Sequence, residues 1–373
     1  GEHSLASFRL CACVHLVDIY RPMATQIIDF APFMVNEGVV VGEAVTPSQA
    51  AVAKQLHEVN SGMGFAYLSN IGITTEDLEE WFSASKEFFA LPEEHKLHAL
   101  PRICPETNTG YSPVGQERLN SKRGADIKES FNIRRPGTND FGGCPSRFVE
   151  AAACLWEKTE VAGKRFGLAC ALALGVEPDF FTSKMRTMDM CTVRFLHYPP
   201  CSFNPDAAEG HGPIRIGEHT DFGLFTLLFM DGPADGLEVK RVDGGEVGGQ
   251  AGNDEGGWTP VPGLGGATLV VNTGALFARW TNDMWRASAH RVVVPTPAAA
   301  GSHRYTIACF CDPDADAEVV VDPRFVAPGE VPKYPTTTGR EYIMMKLREA
   351  NQQLSPVEPL DSSLEKTPEM KVL

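Results

Sequence analysis

The sequence predicts a mainly β protein with α decoration, its core a sandwich or double-sheet jelly roll flanked by N-terminal and C-terminal helices. Three observations carry that reading. From Met188 onward the chain is a succession of short β-rich runs separated by turn residues, the texture of an all-β core. Helical start and stop signals fall before Met188 and again near the C terminus. The stretch Gly217-Glu218-His219-Thr220-Asp221-Phe222-Gly223-Leu224-Phe225-Thr226-Leu227-Leu228-Phe229 joins two metal-ligand residue types to a run apolar enough for a strand covered on both faces.

In chain order, residues 1–22 precede Met23-Ala24-Thr25, which looks like a natural beginning; they are an expression scar, a leader remnant or a genuine extension. Thr46-Pro47-Ser48-Gln49 has capping-box spacing with proline at the first helical position, and Ala50, Ala53 and Leu56 follow at helical period until Gly62-Met63-Gly64. Phe65 to Leu68 reads as a short strand. Thr74 to Ala90 reads as a second helix, with Leu78, Trp81, Phe82, Phe88 and Phe89 as its buried stripe. Arg102 to Asn120 is loop-rich, and Ser146 to Leu174 is a long helix stopped by Gly175 that supports the core from outside.

The expected strands of the core are 190–198, 214–217, 222–229, 236–241, 258–261, 267–272, 275–278, 290–294 and 304–311. Between them, the glycine-rich stretch Asp243 to Asn253 has no apolar period. No helix follows it as a phosphate-binding loop would need, so it reads as a hairpin tip or a mobile lid. Asp312-Pro313-Asp314-Ala315-Asp316 lacks the glycine and distal glutamate of an EF-hand loop and reads as a strand exit. A last helix, from Thr338 to about Leu354, carries Tyr342, Ile343 and Leu347 for docking. The Pro-, Ser- and Glu-rich tail after Ser355 reads as disordered.

The chemistry lies in the order of a few side chains. In a strand, residues i and i+2 share a face, so His219 and Asp221 are expected to point together. A third ligand type, His290, opens the β-branched run His290-Arg291-Val292-Val293-Val294, 71 positions beyond His219, where an adjacent strand could present it to the same spot. Two histidines and one carboxylate with open positions form the ligand set of non-haem Fe(II) oxygenases. Fourteen positions later, Arg304 and Thr306 share a face of another strand. A guanidinium fork with a hydroxyl beside it suits the far end of a dicarboxylate.

That order, His-x-Asp, then His before an apolar run, then Arg-x-Thr, resembles the isopenicillin-N-synthase-like branch of the Fe(II)/2-oxoglutarate dioxygenases over nearly all of residues 24–350. Val193 to Cys201 is similar to the family's strand ending in Tyr-Pro-Pro, and Leu269 to Gly274 and Arg279-Trp280-Thr281-Asn282 are similar to its segments between the ligands. Ile27 to Phe30, Gly64 to Leu68, Phe88 to Pro92, Gly110-Tyr111 and Asp126 to Phe131 resemble its N-terminal half. The resemblance implies a double-stranded β-helix (jelly-roll) core over 188–313, a helix-rich N-terminal part over 23–187, and a C-terminal helix and tail over 314–373.

It also implies Fe(II) held by His219, Asp221 and His290, and 2-oxoglutarate gripped by Arg304 and Thr306 with help from Tyr198. Dioxygen, as the second co-substrate, would then oxidise an unactivated C–H bond of a small-molecule metabolite, with release of succinate and CO2. Hydroxylation, desaturation and oxidative cyclisation stay open, whereas the carboxylate of Asp221 argues against halogenation. Thr306 stands where serine is usual, Ile71-Gly72 where His-Gly is usual, and Ala275 where Asp is frequent. An iron oxidase of the same fold that uses no keto acid, and a non-catalytic binding or sensing scaffold, are the competing readings. An intact Arg304 with Thr306 argues against the first, and the complete triad against the second.

Charge narrows the partners. Lys and Arg total 33 against 48 Asp and Glu, and a net charge of −15 repels phosphate backbones and anionic membranes. No apolar run is long enough to span a bilayer. The ten cysteines are scattered, without a Cys-x-x-Cys, and read as reduced small hydrophobes, the pairs Cys11-Ala12-Cys13 and Cys309-Phe310-Cys311 included. The expectation is a monomeric cytoplasmic enzyme with a small-molecule substrate and neither nucleic acid nor membrane as partner.

Overall fold

The computed structural model describes residues 27–34, 45–120, 125–203, 214–241 and 257–352. The expectations for residues 1–22, the Asp243 to Asn253 stretch and the tail after Ser355 lie outside the described residues. Strands β1 (Ile27–Asp29), β2 (Phe65–Ser69), β3 (Gly110–Ser112), β4 (Glu129–Ile133) and β5 (Thr192–Tyr198) come first. They are followed by β6 (Ile214–His219), β7 (Phe225–Met230), β8 (Leu237–Lys240), β9 (Trp258–Pro260), β10 (Leu269–Thr273), β11 (His290–Val293) and β12 (Arg304–Cys311). A small pair, β13 (Glu318–Val319) and β14 (Thr337–Thr338), comes last. The helices are α1 (Pro47–Ser61), α2 (Thr75–Phe89), α3 (Glu93–His98), α4 (Ser146–Leu174), α5 (Ala275–Trp280), α6 (Pro297–Ala300) and α7 (Gly339–Gln352).

Two sheets make the jelly roll. The larger has the order β1-β2-β10-β7-β12-β5-β4-β3 and the smaller β6-β11-β8-β9. The N-terminal strands β1 to β4 therefore extend the sheet that β5, β7, β10 and β12 form at its centre. Period-two alternation sorts the side chains of that sheet. Tyr67, Leu196, Tyr198, Met230, Val270 and Ala308 meet Ile216, Leu237, Val239 and Val292 of the smaller sheet in one apolar cluster. The opposite face carries Phe195, Phe225 and Phe229 into a second cluster under the helices.

Helix α4 packs on that outer face, with Phe148 tilted against Phe195 at 4.8 Å and Phe166 edge-on to Phe225 at 4.7 Å. From α2, Trp81 meets Phe229 edge-on at 5.9 Å. Both α1 and α2 begin with a reciprocal capping box, Thr46 with Gln49 and Thr74 with Asp77, so two orphan amides are satisfied at each start. Gly175 ends α4 in the left-handed region (φ 68°), a conformation that glycine reaches without Cβ strain.

Two expectations fail locally. Residues 275–278 are the first turns of helix α5, not a strand: four residues are too few for periodicity to decide, and Gly274 begins the helix in an extended conformation. The loop-rich stretch 102–120 contains strand β3, paired with β4 through Tyr111 and Phe131. Among the described residues no helix is long and apolar enough to cross a membrane.

Candidate active site

His219 ends β6 and His290 begins β11, and the two are Cα partners across the antiparallel ladder, with ring centroids 4.3 Å apart. Asp221 is not on a strand. It lies in the connection that leaves β6 for β7 in the other sheet, so the shared direction of His219 and Asp221 comes from this turn and not from strand alternation. The connection is clamped by the start of α5. Ala275 N–H donates to the Asp221 carbonyl at 2.8 Å, Leu276 N–H to Phe222 at 3.0 Å, and Gly274 N–H to Leu224 at 2.7 Å. A Cβ on Gly274 would stand 2.3 Å from the Gly223 carbonyl oxygen, so this approach requires glycine.

One ligand atom from each of His219, Asp221 and His290 lies within 4.8 Å of the others. Asp221 Oδ1 is 4.0 Å from His219 Nε2 and 3.6 Å from His290 Nε2. Each ring is oriented from behind: His219 Nδ1 is 2.8 Å from the Gly217 carbonyl and His290 Nδ1 is 3.2 Å from that of Ser288. A carbonyl only accepts, so in each histidine Nδ1 donates and Nε2 presents its lone pair to the common point. Asp221 Oδ2 accepts from Thr226 Oγ1 at 2.5 Å and Asn272 Nδ2 at 2.7 Å, which leaves Oδ1 for a metal.

Electrostatics agrees with that division. Burial, and after it His290, pushes His219 down to about 3, so its imidazole is neutral and able to ligate. Burial works against the Asp221 carboxylate, but the two histidines and the hydrogen bonds from Thr226 and Asn272 outweigh it and hold its pKa below the usual range. Asp221 and His290 are buried, at 8% and 7% exposure, and the cavity is lined by His219 and Asp221.

Further into the roll, Arg304 of β12 faces Tyr198 of β5 in direct register, its guanidinium carbon 4.8 Å above the ring. Arg304 Nε donates to the Asp235 carbonyl at 3.2 Å, while Nη1 has no partner. Thr306, two residues along and on the same inner face, buries an Oγ1 that also has no partner. An unpaired buried donor is costly, and two of them beside each other mark a place for an acceptor-rich group. Arg215 adds charge nearby: its Nη2 donates to the Ala299 and Ser302 carbonyls, and its guanidinium carbon stands 5.8 Å over Tyr198. A keto acid whose far carboxylate meets Arg304 and Thr306 fits this donor set.

Beside the metal triad lies a cavity of about 330 Å³, lined by the 103–119 stretch, β5, the connection from β6 to β7, the end of β12 and α7. His219, Asp221, Phe222, Phe310 and Asp312 form its inner wall, and Ile343 and Leu347 of α7 cover it. Glu117 and Arg194 also line it as an ion pair at 3.0 Å. Arg194 Nε donates to Asn132, Lys128 bonds the same Glu117 oxygen, and these cations hold Glu117 at about 2 against the effect of burial. Thr226, Asn272, Glu117, Arg194 and Asp312 were not assigned as functional from the sequence. For Arg194 a signal existed, a charged residue on the same strand face as Leu196 and Tyr198; for Thr226 and Asn272 none did, because their role depends on where another loop places Asp221.

Residues 188–313 match the 2OG-Fe(II) oxygenase superfamily, and residues 26–148 match the N-terminal region described for non-haem dioxygenase in morphine synthesis. Among curated proteins, the 2-oxoglutarate-Fe(II) type oxidoreductase ppzD of Metarhizium rileyi is 32% identical over 347 residues, which is 86% of this chain and 89% of that protein. The chain belongs to the 2-oxoglutarate/Fe(II) oxygenases. The oxygenase is also 31% identical to the proline hydroxylase buaE of Petromyces alliaceus, over 77% of this chain and 89% of that one. Its fold matches a full-length Neurospora crassa protein whose crystal structure holds alpha-KG and thymine, at a TM-score of 0.71 and 29% identity over 87% of this chain and 96% of that one. It is thus an enzyme of small-molecule oxidation that depends on Fe(II), 2-oxoglutarate and dioxygen.

Proposed function

We propose that His219, Asp221 and His290 are the iron ligands, and that Arg304, Thr306 and Tyr198 seat the far carboxylate of 2-oxoglutarate. We further propose that a small molecule in the cavity beside Asp221 is hydroxylated. The observation that carries this reading is the pair of unpaired buried donors, Arg304 Nη1 and Thr306 Oγ1, inside the same roll as the triad. A keto-acid-free oxidase has no dicarboxylate co-substrate to set against them.

Iron with its keto acid and dioxygen supplies the oxidising power, and 2-oxoglutarate leaves as succinate and CO2. The protein contributes position and exclusion. Gly217 and Ser288 fix the ring tautomers, Thr226 and Asn272 fix the carboxylate, and Arg304 would hold the far carboxylate of the co-substrate. Phe222, Phe310, Ile343 and Leu347 keep water from the C–H bond to be oxidised. Hydroxylation is the proposed outcome because the carboxylate ligand position is filled by Asp221 and a relative is named a proline hydroxylase.

The test is succinate formation by the protein with Fe(II), oxygen and 2-oxoglutarate, across a panel of small metabolites that includes thymine and L-proline. Substrate-stimulated succinate release that vanishes without 2-oxoglutarate supports the assignment. Oxygen consumption that needs no keto acid would replace it by the oxidase reading. We also propose a cytoplasmic monomer, a reading supported by the eight described cysteines, all of which are free thiols. Size-exclusion chromatography and cell fractionation check it.

A further inference from the structure

Asp312 follows β12 directly and lines the cavity that holds Asp221 and Phe310, yet it has no task in the chemistry of the metal or the keto acid. It is 4% exposed, and its Oδ1 has no hydrogen-bond partner. Among the described residues that line the cavity, it is the one with a buried unpaired side-chain atom. The other buried carboxylates of the wall are committed: Glu117 to Arg194 and Lys128, Asp221 to the metal position.

The site is also shaped for this carboxylate. Gly223, two residues past Asp221, lies so close that a Cβ there would stand 1.8 Å from Asp312 Oδ1, so only glycine lets the oxygen occupy its place against the metal-bearing turn. Arg134 is the leading cationic influence on Asp312 but forms no ion pair with it, and Arg134 leaves its own Nε and Nη2 unpaired. Burial outweighs Arg134 and the backbone N–H of Leu224 and pushes the Asp312 carboxyl up to about 7. A buried acceptor without a partner is stabilised by whatever brings one.

We propose that Asp312 is a specificity-determining residue which accepts a hydrogen bond from a nitrogen of the substrate, so that the oxygenase takes small molecules with an amine or ring N–H borne on an apolar or planar body. Phe310, two residues earlier, and Phe222, next to Asp221, supply the apolar walls for that body. An N–H held by Asp312 fixes the ligand beside the turn that carries Asp221, and this sets which carbon faces the metal.

This rests on the oxygenase reading above, and its test separates the two. The visible charge-transfer band of the anaerobic Fe(II) and 2-oxoglutarate complex reports the co-substrate site alone. Ligand-observed saturation-transfer NMR on the protein loaded with Zn(II) and 2-oxoglutarate reports the cavity. The probes are neutral pairs that differ only by oxygen in place of N–H: pyrrole with furan, and indole with benzofuran. The wild type is expected to bind at least one N–H member about tenfold or more tighter than its oxygen counterpart. In Asp312→Leu, which removes the acceptor, that preference falls to about threefold or less with the charge-transfer band retained, and a retained preference overturns the proposal. Equal loss of both members in the variant assigns Asp312 a merely structural role and overturns the proposal. So does a wild type that shows no preference, including one that binds no N–H probe at millimolar concentration. Asp312→Val replaces Asp312→Leu if the latter does not fold, and the wild-type comparison decides without either. Absence of the charge-transfer band in the wild type would count against the co-substrate reading instead.

Discussion

Arg304 and Tyr198 are direct partners across β12 and β5, with the guanidinium carbon 4.8 Å from the ring centroid, so the ring holds the planar fork flat while Nη1 stays without a partner. Lysine keeps the charge but loses the second parallel hydrogen bond to a carboxylate. Arg304→Lys should therefore raise the KM for 2-oxoglutarate by roughly ten- to a hundredfold, the equivalent of about 1.5–3 kcal/mol, with iron binding unchanged. Thr306→Ser should be nearly neutral and Thr306→Val intermediate. Steady-state succinate assays and iron titration check the series.

The bonds from Thr226 and Asn272 to Asp221 Oδ2 leave one carboxylate oxygen for the metal. Thr226→Val and Asn272→Ala should each weaken iron binding by about ten- to a hundredfold, whereas His219→Ala, Asp221→Ala or His290→Ala should abolish turnover. Isothermal titration under anaerobic conditions distinguishes the two grades. Near-native activity in any ligand variant would remove that residue from the centre.

Leu347 on α7 lines the cavity, whose wall does not include Arg304. Leu347→Trp should fill the substrate space, so that substrate-stimulated turnover falls while the slow substrate-free consumption of 2-oxoglutarate persists. Loss of both would mean that the helix supports the metal centre as well.

Asp312 gives a pH signature in stability. Its folded pKa is raised to about 7 from 3.8. The folded state thus binds the extra proton between those values, and stability is lost as pH rises from about 4 through 7. Asp312→Asn removes the titration. Relative to wild type it should gain on the order of a few kcal/mol between pH values of about 4 and 8, in urea melts of the metal-free protein. A constant difference across that range would place the carboxyl's pKa near its ordinary value.

Phe148 is fully buried and contacts Phe88 at 4.2 Å, Phe195 at 4.8 Å and Phe131 at 5.5 Å, which ties α4 and α2 to the outer face of the sheet. Phe148→Ala should cost about 3–5 kcal/mol of stability. Since it lies on the face away from the metal, folded variant protein should keep its KM for 2-oxoglutarate. Denaturant melts and kinetics read the two effects separately.

Much of this architecture was legible because the residues that matter repeat a strong period or a strong order. The capping box at Thr46 places the start of α1 to the residue, and the apolar stripe from Leu78 to Phe89 places α2 within the Thr74 to Ala90 stretch. The run Arg304–Cys311 is a strand from end to end as read. The metal triad was legible from residue types and spacing, although its geometry arises differently: Asp221 is aimed by a turn pinned under α5, and no local pattern announces such a clamp. Helix α5 itself was misread because six residues buried on several sides, with Leu276, Phe277 and Trp280 all inside, carry no amphipathic period. The Glu117–Arg194 pair and the open carboxylate of Asp312 depend on which distant segments meet, so single-sequence patterns hold no trace of the pairing.

The pairing of His219 with His290 across β6 and β11 has a consequence for what can be added to the chain. Along the sequence β7 to β10 and α5 lie between these histidines, but the two rings are brought together by direct pairing of β6 with β11. Each doubling of a flexible connection costs only about 0.6 kcal/mol in closure entropy. An epitope inserted between β8 and β9 is therefore expected to leave the spacing of the two histidines unchanged, since their ladder does not run through that part of the chain.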